Sequence, residues 1–174
     1  MKRLVLYCVA TAQLLFCLPE PVFAEKPSAT SSKNKPMLGW IEKVEIKPDN
    51  LIMHAKLAPG SETSSVGATN VKSFKKKGKR WVKFDLKDRE GKSRTLSKEL
   101  IRIAKIKRPG NDPIERYTVE LGLCIGKTYL EEEVTLADRR GFEYELLIGR
   151  SFLAGNLTID PSLSYTVKPT CTQS

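Results

Sequence analysis

A single histidine, His54, limits the chemistry open to this 174-residue chain. A serine or cysteine nucleophile needs a neighbouring base, most often an imidazole. His54 stands beside Met53 in an apolar-alternating segment, where an ordinary strand residue is expected. A catalytic zinc takes three protein ligands at suitable spacing. The chain has no His-Glu-x-x-His and its cysteines are scattered, so neither a metal site nor a metal cofactor is expected. A Gly-x-x-x-x-Gly-Lys-Ser/Thr phosphate loop is absent too. Carboxylates can also serve as general acids and bases. The acids worth weighing are Glu62, in the loop after a hydrophobic strand, and Asp138 and Asp160, which read as turn residues. Glu62 would have to point into a cleft and pair with its mate; a surface charge is its ordinary role. Arg150 reads as a brace for a nearby loop, with ligand binding as the alternative.

The elements that must position these side chains are strands. From Met37 onward the apolar pattern has period two, with turn signals at short intervals, and this predicts an all-β domain. Residues 39–46 alternate with one slip of phase, which a bulge would explain. Pro48-Asp49-Asn50 turns the chain into a strand over 51–57, and that strand runs into the loop at Ala58. Residues 71–76 and 79–86 form a hairpin around Gly78, and 94–107 reads as one further strand. Residues 117–125 alternate most clearly and put Cys124 on the face opposite Leu121, Leu123 and Ile125. A run over 127–136 follows. If Leu130 and Val134 both face the core, one of Glu131, Glu132 and Glu133 must point inward or lie at a bulge. Residues 143–148 make the last strong strand. Ser151 is a candidate cap for one helical turn, and 157–160 and 165–167 are short closing strands. Trp40 and Trp81 read as lid or core residues.

Residues 1–24 read as a secretory signal peptide. Lys2 and Arg3 precede an apolar stretch too short to span a bilayer comfortably, and Val22-Phe23-Ala24 offers a small-x-small cleavage site. A periplasmic or secreted protein cut after Ala24 is therefore expected. Residues 25–36 are Ser-, Lys- and Pro-rich and read as a flexible linker, the folded domain spans 37–168, and 169–174 is a tail. In an oxidising compartment Cys124 and Cys171 could form one disulfide or stay as two free thiols. The net charge is +10, with a dense run at Lys75-Lys76-Lys77-Gly78-Lys79-Arg80. Such a run is a solvated hairpin tip or a site for anionic envelope polymers. Nucleic acid is not an expected partner, because secretion separates it and no aromatic-basic motif is present.

The order of motifs adds a resemblance. Gly39-Trp40 opens the domain, and Ala55-Lys56-Leu57 enters the loop Ala58-Pro59-Gly60-Ser61-Glu62, followed by Thr63-Ser64. A hairpin carrying Phe74 and Gly78-Lys79-Arg80-Trp81-Val82-Lys83-Phe84 comes next. Late in the chain stand Leu146-Leu147-Ile148-Gly149-Arg150 and Leu157-Thr158-Ile159-Asp160-Pro161-Ser162-Leu163-Ser164-Tyr165. This order over residues 37–167 resembles the bacterial retropepsin-like aspartic protease family often labelled ATP-dependent zinc proteases. The resemblance implies a closed retropepsin-like barrel with one short helical turn near the C-terminus. It also implies that the Leu-Ile-Gly-Arg element packs behind the catalytic loop.

The family loop reads Lys-Val-Asp-Thr-Gly-Ala-Arg-Thr-Ser. Here Ala58, Pro59 and Glu62 replace its Asp, Thr and Arg, whereas Lys56, Gly60, Thr63 and Ser64 match. Alanine cannot take a proton from water, so the catalytic group is lost and the loop Ala58-Pro59-Gly60 is vestigial. A homodimer, in which two such loops would meet, adds only a second Ala58. The expected function is therefore that of a pseudoprotease, which binds a peptide or protein of the cell envelope through Lys56, Thr63, Ser64 and Arg150 without cutting it. Extended peptides can be gripped by strand addition, which needs no acid. The alternatives are a peptidase using Glu62 and a module that binds envelope polyanions through the basic tip.

Overall fold

The computed structural model describes residues 35–108 and 110–172. The signal-peptide segment, most of the linker and the last two tail residues lie outside the described residues. The elements run β1 (Met37–Lys47), β2 (Leu51–Leu57), β3 (Ser64–Lys76), β4 (Lys79–Lys87), β5 (Ser93–Glu99), β6 (Arg102–Arg108), β7 (Asn111–Ile125), β8 (Thr128–Ala137), β9 (Leu146–Ile148), α1 (Arg150–Leu153) and β10 (Thr158–Ser164). Strands carry almost all the regular structure.

Six strands close a ring. β1 pairs β2, β2 pairs β9, β9 pairs β3, β3 pairs β8, β8 pairs β7, and β7 returns to β1. This is a closed all-β ring of the kind the resemblance implies. Closure leaves three appendages: β10 on β1, β6 on β7, and the β3–β4–β5 arm. Because side chains alternate along each strand, the inward set fills the barrel. Val44, Met53, Val66, Leu121, Val134 and Ile148 are fully buried there. Phe152 and Leu153 of α1 are buried against the same core. Where the phase slips in β1, its pairing with β10 shifts register between Gly39 and Ile41.

Several expectations need correction. The single strand predicted over 94–107 is two. β5 pairs with β4, and β6 pairs with β7. The chain changes sheets at Leu100 and Ile101, whose N–H groups go to Arg80 and Thr118 carbonyls respectively. The adjacent apolar pair Leu100-Ile101 slips the phase at the break, the one local mark of it. The strand predicted from residue 143 begins only at Leu146. Residues 165–167 are not a strand: Tyr165 takes a left-handed φ of 53°, which turns the chain. Thr166 and Val167 then donate their N–H groups to Glu42 instead. Ser151 does not cap α1. The cap position is Gly149, which has no side chain to offer, and the Ser151 hydroxyl donates to Glu132 at 2.9 Å. Glu132 shares its strand face with Leu130 and Val134, and Leu121 is its cross-strand partner. It is the inward member of the acidic triplet, and Ser151 satisfies one of its oxygens.

Sequence reading passed over Glu42, which is fully buried. Its carboxylate accepts the Gly39 N–H at 2.8 Å, the Thr166 N–H at 3.0 Å and the Thr166 hydroxyl at 2.5 Å. A disulfide joins Cys124 to Cys171 and ties the C-terminal segment to β7. Among the described residues no helix is long and apolar enough to cross a membrane.

Candidate functional site

The loop between β2 and β3 is held from behind by the turn between β9 and α1. The Ala58 N–H donates to the Ile148 carbonyl at 2.9 Å, and the Ser61 N–H closes a turn onto the Ala58 carbonyl at 2.9 Å. From the other side, the Arg150 N–H donates to Ser61 O at 2.7 Å and the Ser151 N–H to Glu62 O at 3.0 Å. The Arg150 guanidinium adds a bond to Pro59 O at 3.3 Å. Buried Ser64 accepts the Gly149 N–H on its Oγ at 3.0 Å, and its carbonyl accepts the Thr135 hydroxyl at 3.2 Å. A Cβ on Gly149 would sit 2.5 Å from the Thr63 carbonyl carbon, so only glycine permits this approach. Leu-Ile-Gly-Arg therefore packs behind the loop.

Beside the loop opens a cleft of about 660 Å3. Its floor is the outer face of the sheet, where cross-strand register aligns Leu147 with Ser65, Ser65 with Thr135, and Thr135 with Thr118. Arg102 completes the row opposite Thr118. Ser61, Glu62 and Thr63 form the loop side of the wall. The wall carries four cations, Arg102, Lys105, Arg116 and Arg139, against two carboxylates, Glu62 and Asp138. Arg102 is already paired with Glu133 at 2.7 Å. Arg139 donates to Ser65 Oγ at 3.2 Å and to the Tyr144 carbonyl at 3.0 Å. Burial, and then the like charge of Arg116, push the Arg139 guanidinium below its ordinary pKa. Arg116 makes no salt bridge among the described residues. The Thr118 hydroxyl is buried without a hydrogen-bond partner among the described residues. Its strand parity puts it on the cleft face with Arg116.

The residues singled out from sequence scatter around this cleft. Glu62 and Thr63 line it. Ala58, Pro59 and Gly60 stand outside its wall. Ser64 points away, into its bond with Gly149. Arg150 braces a carbonyl of the loop rather than a carboxylate. Lys56 lies on the outer face of β2 with its ammonium 5.7 Å from the Trp40 ring. His54 is next to it in that face and shares a hydrogen bond with the Tyr165 hydroxyl at 2.9 Å. Asp138 reaches the cleft but is held by the Arg140 guanidinium and backbone N–H, which pull its carboxyl down to about 2. Asp160 is occupied by the Ser162 hydroxyl and N–H in β10. Trp40 packs edge-on against Tyr144, and Trp81 is covered by the Lys76 ammonium at 4.6 Å. No group of three or more His, Cys, Asp or Glu residues is placed to hold a metal among the described residues.

Sequence reading missed Arg102, Arg116, Thr118 and Arg139. The Arg116/Thr118 spacing of two did mark a polar strand face. Nothing local told which strands would flank it.

Comparison with known proteins places this architecture. Residues 37–170 match the family model described as RimB-like, retropepsin-like aspartic endopeptidase RimB. Two curated relatives are each named a probable alpha-L-glutamate ligase. The one from Shewanella pealeana is 28% identical over 114 residues, covering 64% of this chain and 25% of its own length. The one from Desulfotalea psychrophila is 29% identical over 112 residues, covering 63% and 24%. The chain thus spans about a quarter of the length of these relatives. The crystal structure of protein Lpg0085, of unknown function, from Legionella pneumophila superposes with a TM-score of 0.67 at 30% identity, covering 78% of this chain and all of that one.

Proposed function

Since the chain belongs to the RimB-like family of retropepsin-like aspartic endopeptidases, we propose that it is a member that holds a glutamate-rich peptide in its cleft without cutting it. The protein acts outside the cytoplasm, in the periplasm or as a secreted protein. The observation that carries the reading is the cleft wall itself. Arg116 and Arg139 both line it and repel one another. A carboxylate entering between them relieves that cost. Guanidinium groups take carboxylates in two-pronged, charge-assisted hydrogen bonds. The relatives named as glutamate ligases suggest where a run of carboxylates would come from. Ala58 supports the non-cutting half of the proposal, because no proton acceptor stands at the end of β2.

The binding test uses a labelled oligoglutamate peptide with an oligoglutamine peptide of equal length as control, read by fluorescence anisotropy. The glutamate peptide binds, the glutamine peptide does not, and Arg116→Gln with Arg139→Gln weakens binding by more than roughly tenfold, the loss of one charge-assisted bond. Equal binding of both peptides would discard the reading. Mass spectrometry of the bound peptide finds it intact from acidic to neutral pH.

Glu62 lines the cleft and keeps a second reading alive, a peptidase with a displaced acid. Cleavage that Glu62→Gln abolishes and Lys76→Gln leaves unchanged would establish that reading in place of the first.

A further inference from the structure

The β3–β4 arm carries like charges directly opposite one another. Cross-strand partners include Lys72 with Lys83, Lys75 with Arg80 and Lys76 with Lys79. Opposed like charges destabilise a strand pair. Among the described residues only Lys79 of this set is relieved by a salt bridge, to Glu99 at 2.8 Å. Chain alternation puts Lys72, Lys76, Lys79 and Lys83 on one face of the arm. In the centre of that face Phe74 pairs with Trp81. Phe74 is 39% exposed, and Lys76 covers the Trp81 ring at 4.6 Å. Lys77 and Gly78 take left-handed φ values of 50° and 76°. They make the tight turn that keeps the two strands in this register. Ser65, at the cleft, is eleven residues from Lys76, so the tip projects about 35 Å along the strand from the cleft.

We infer that this face of the arm docks the protein on an anionic lipid surface. Lipid head groups neutralise the opposed lysines, and the Phe74–Trp81 pair sits at the boundary between head groups and acyl chains, where aromatic rings are favoured. A soluble polyanion would satisfy the charges and leave the exposed Phe74 ring without a role. The site is distinct from the cleft and leaves it open to a peptide.

The test is vesicle co-sedimentation. The barrel's core lies wholly within the compact unit spanning residues 33–174, so that unit is used. It sediments with vesicles of equal phosphatidylglycerol and phosphatidylcholine, does not sediment with phosphatidylcholine alone, and is released by high salt. Lys72→Gln, Lys76→Gln and Lys83→Gln together weaken binding on the order of 100-fold, at about one order of attraction lost for every one or two lysines. Phe74→Ser alone weakens it severalfold, and its unfolding midpoint stays near wild type because the ring is exposed. Arg116→Gln with Arg139→Gln leaves vesicle binding unchanged, which separates this site from the peptide cleft. Equal sedimentation with both vesicle types, or undiminished binding of the triple variant, would overturn the inference. So would a Phe74→Ser variant that binds vesicles as wild type does, with polyphosphate displacing both; that result would assign the face to soluble polyanions.

Discussion

Gly149 donates its backbone N–H to the Oγ of Ser64 at 3.0 Å, across 85 residues of sequence. This one bond fastens the turn before α1 to the end of the β2–β3 loop, and it exists because residue 149 has no side chain. Gly149→Ala forces a methyl against the backbone of Thr63. The expected cost is about 1–3 kcal/mol, the usual range for overpacking a closed site. Ser64→Ala leaves a buried N–H without an acceptor and costs a similar amount, about 1–3 kcal/mol. Urea unfolding of the two variants checks both values. A Gly149→Ala variant as stable as wild type would show that the loop can yield.

Thr118 gives a stability prediction. Its hydroxyl is buried without a partner among the described residues. Thr118→Val keeps the shape and removes the unsatisfied group, so it raises stability by about 1 kcal/mol. Thermal unfolding checks the gain.

The Cys124–Cys171 bond closes a loop with a sequence separation of 47. In the chain-entropy account its loss costs about 4 kcal/mol. Cys124→Ser with Cys171→Ser together should show that drop in denaturant unfolding. Hydrogen exchange should quicken first at Thr166 and Val167, whose N–H groups hold Glu42.

Asp138 gives a pH prediction. Arg140 lowers its folded carboxyl to about 2, from an ordinary 3.8. A depressed carboxyl stabilises the fold above its unfolded value. That contribution is lost as pH falls from about 3.8 through about 2. Arg140→Ala should return the Asp138 titration, followed by NMR of the side-chain carboxyl carbon, toward 3.8. The pair is solvent-exposed, so overall stability near neutral pH should hardly change.

Much of the barrel was legible in the chain. Tyr117, Val119, Leu121 and Leu123 alternate because one face of β7 packs into the barrel core, and a period of two records that directly. Gly78 between two basic runs marked the hairpin turn. The break between β5 and β6 was not read: its one local mark is a slip of apolar phase at Leu100-Ile101, and a slip of phase looks the same whether a strand bulges or changes sheet. The buried Glu42 was equally hidden. Its donors come from Gly39 nearby and from Thr166 and Val167, 124 and 125 residues on.

The candidate site divides along the same line. The identity of residue 58 belongs to the chain alone, and with it the absence of an acid at the end of β2, because an alanine carries no ionisable group whatever surrounds it. The cleft belongs to the tertiary structure. Arg102, Arg116 and Arg139 come from two strands and the loop after β8, and only the register of β6, β7 and β8 sets them facing one space. Periodicity tells which side of a strand a residue occupies. It cannot tell which strand lies alongside, and electrostatics at a few ångströms is decided by that neighbour.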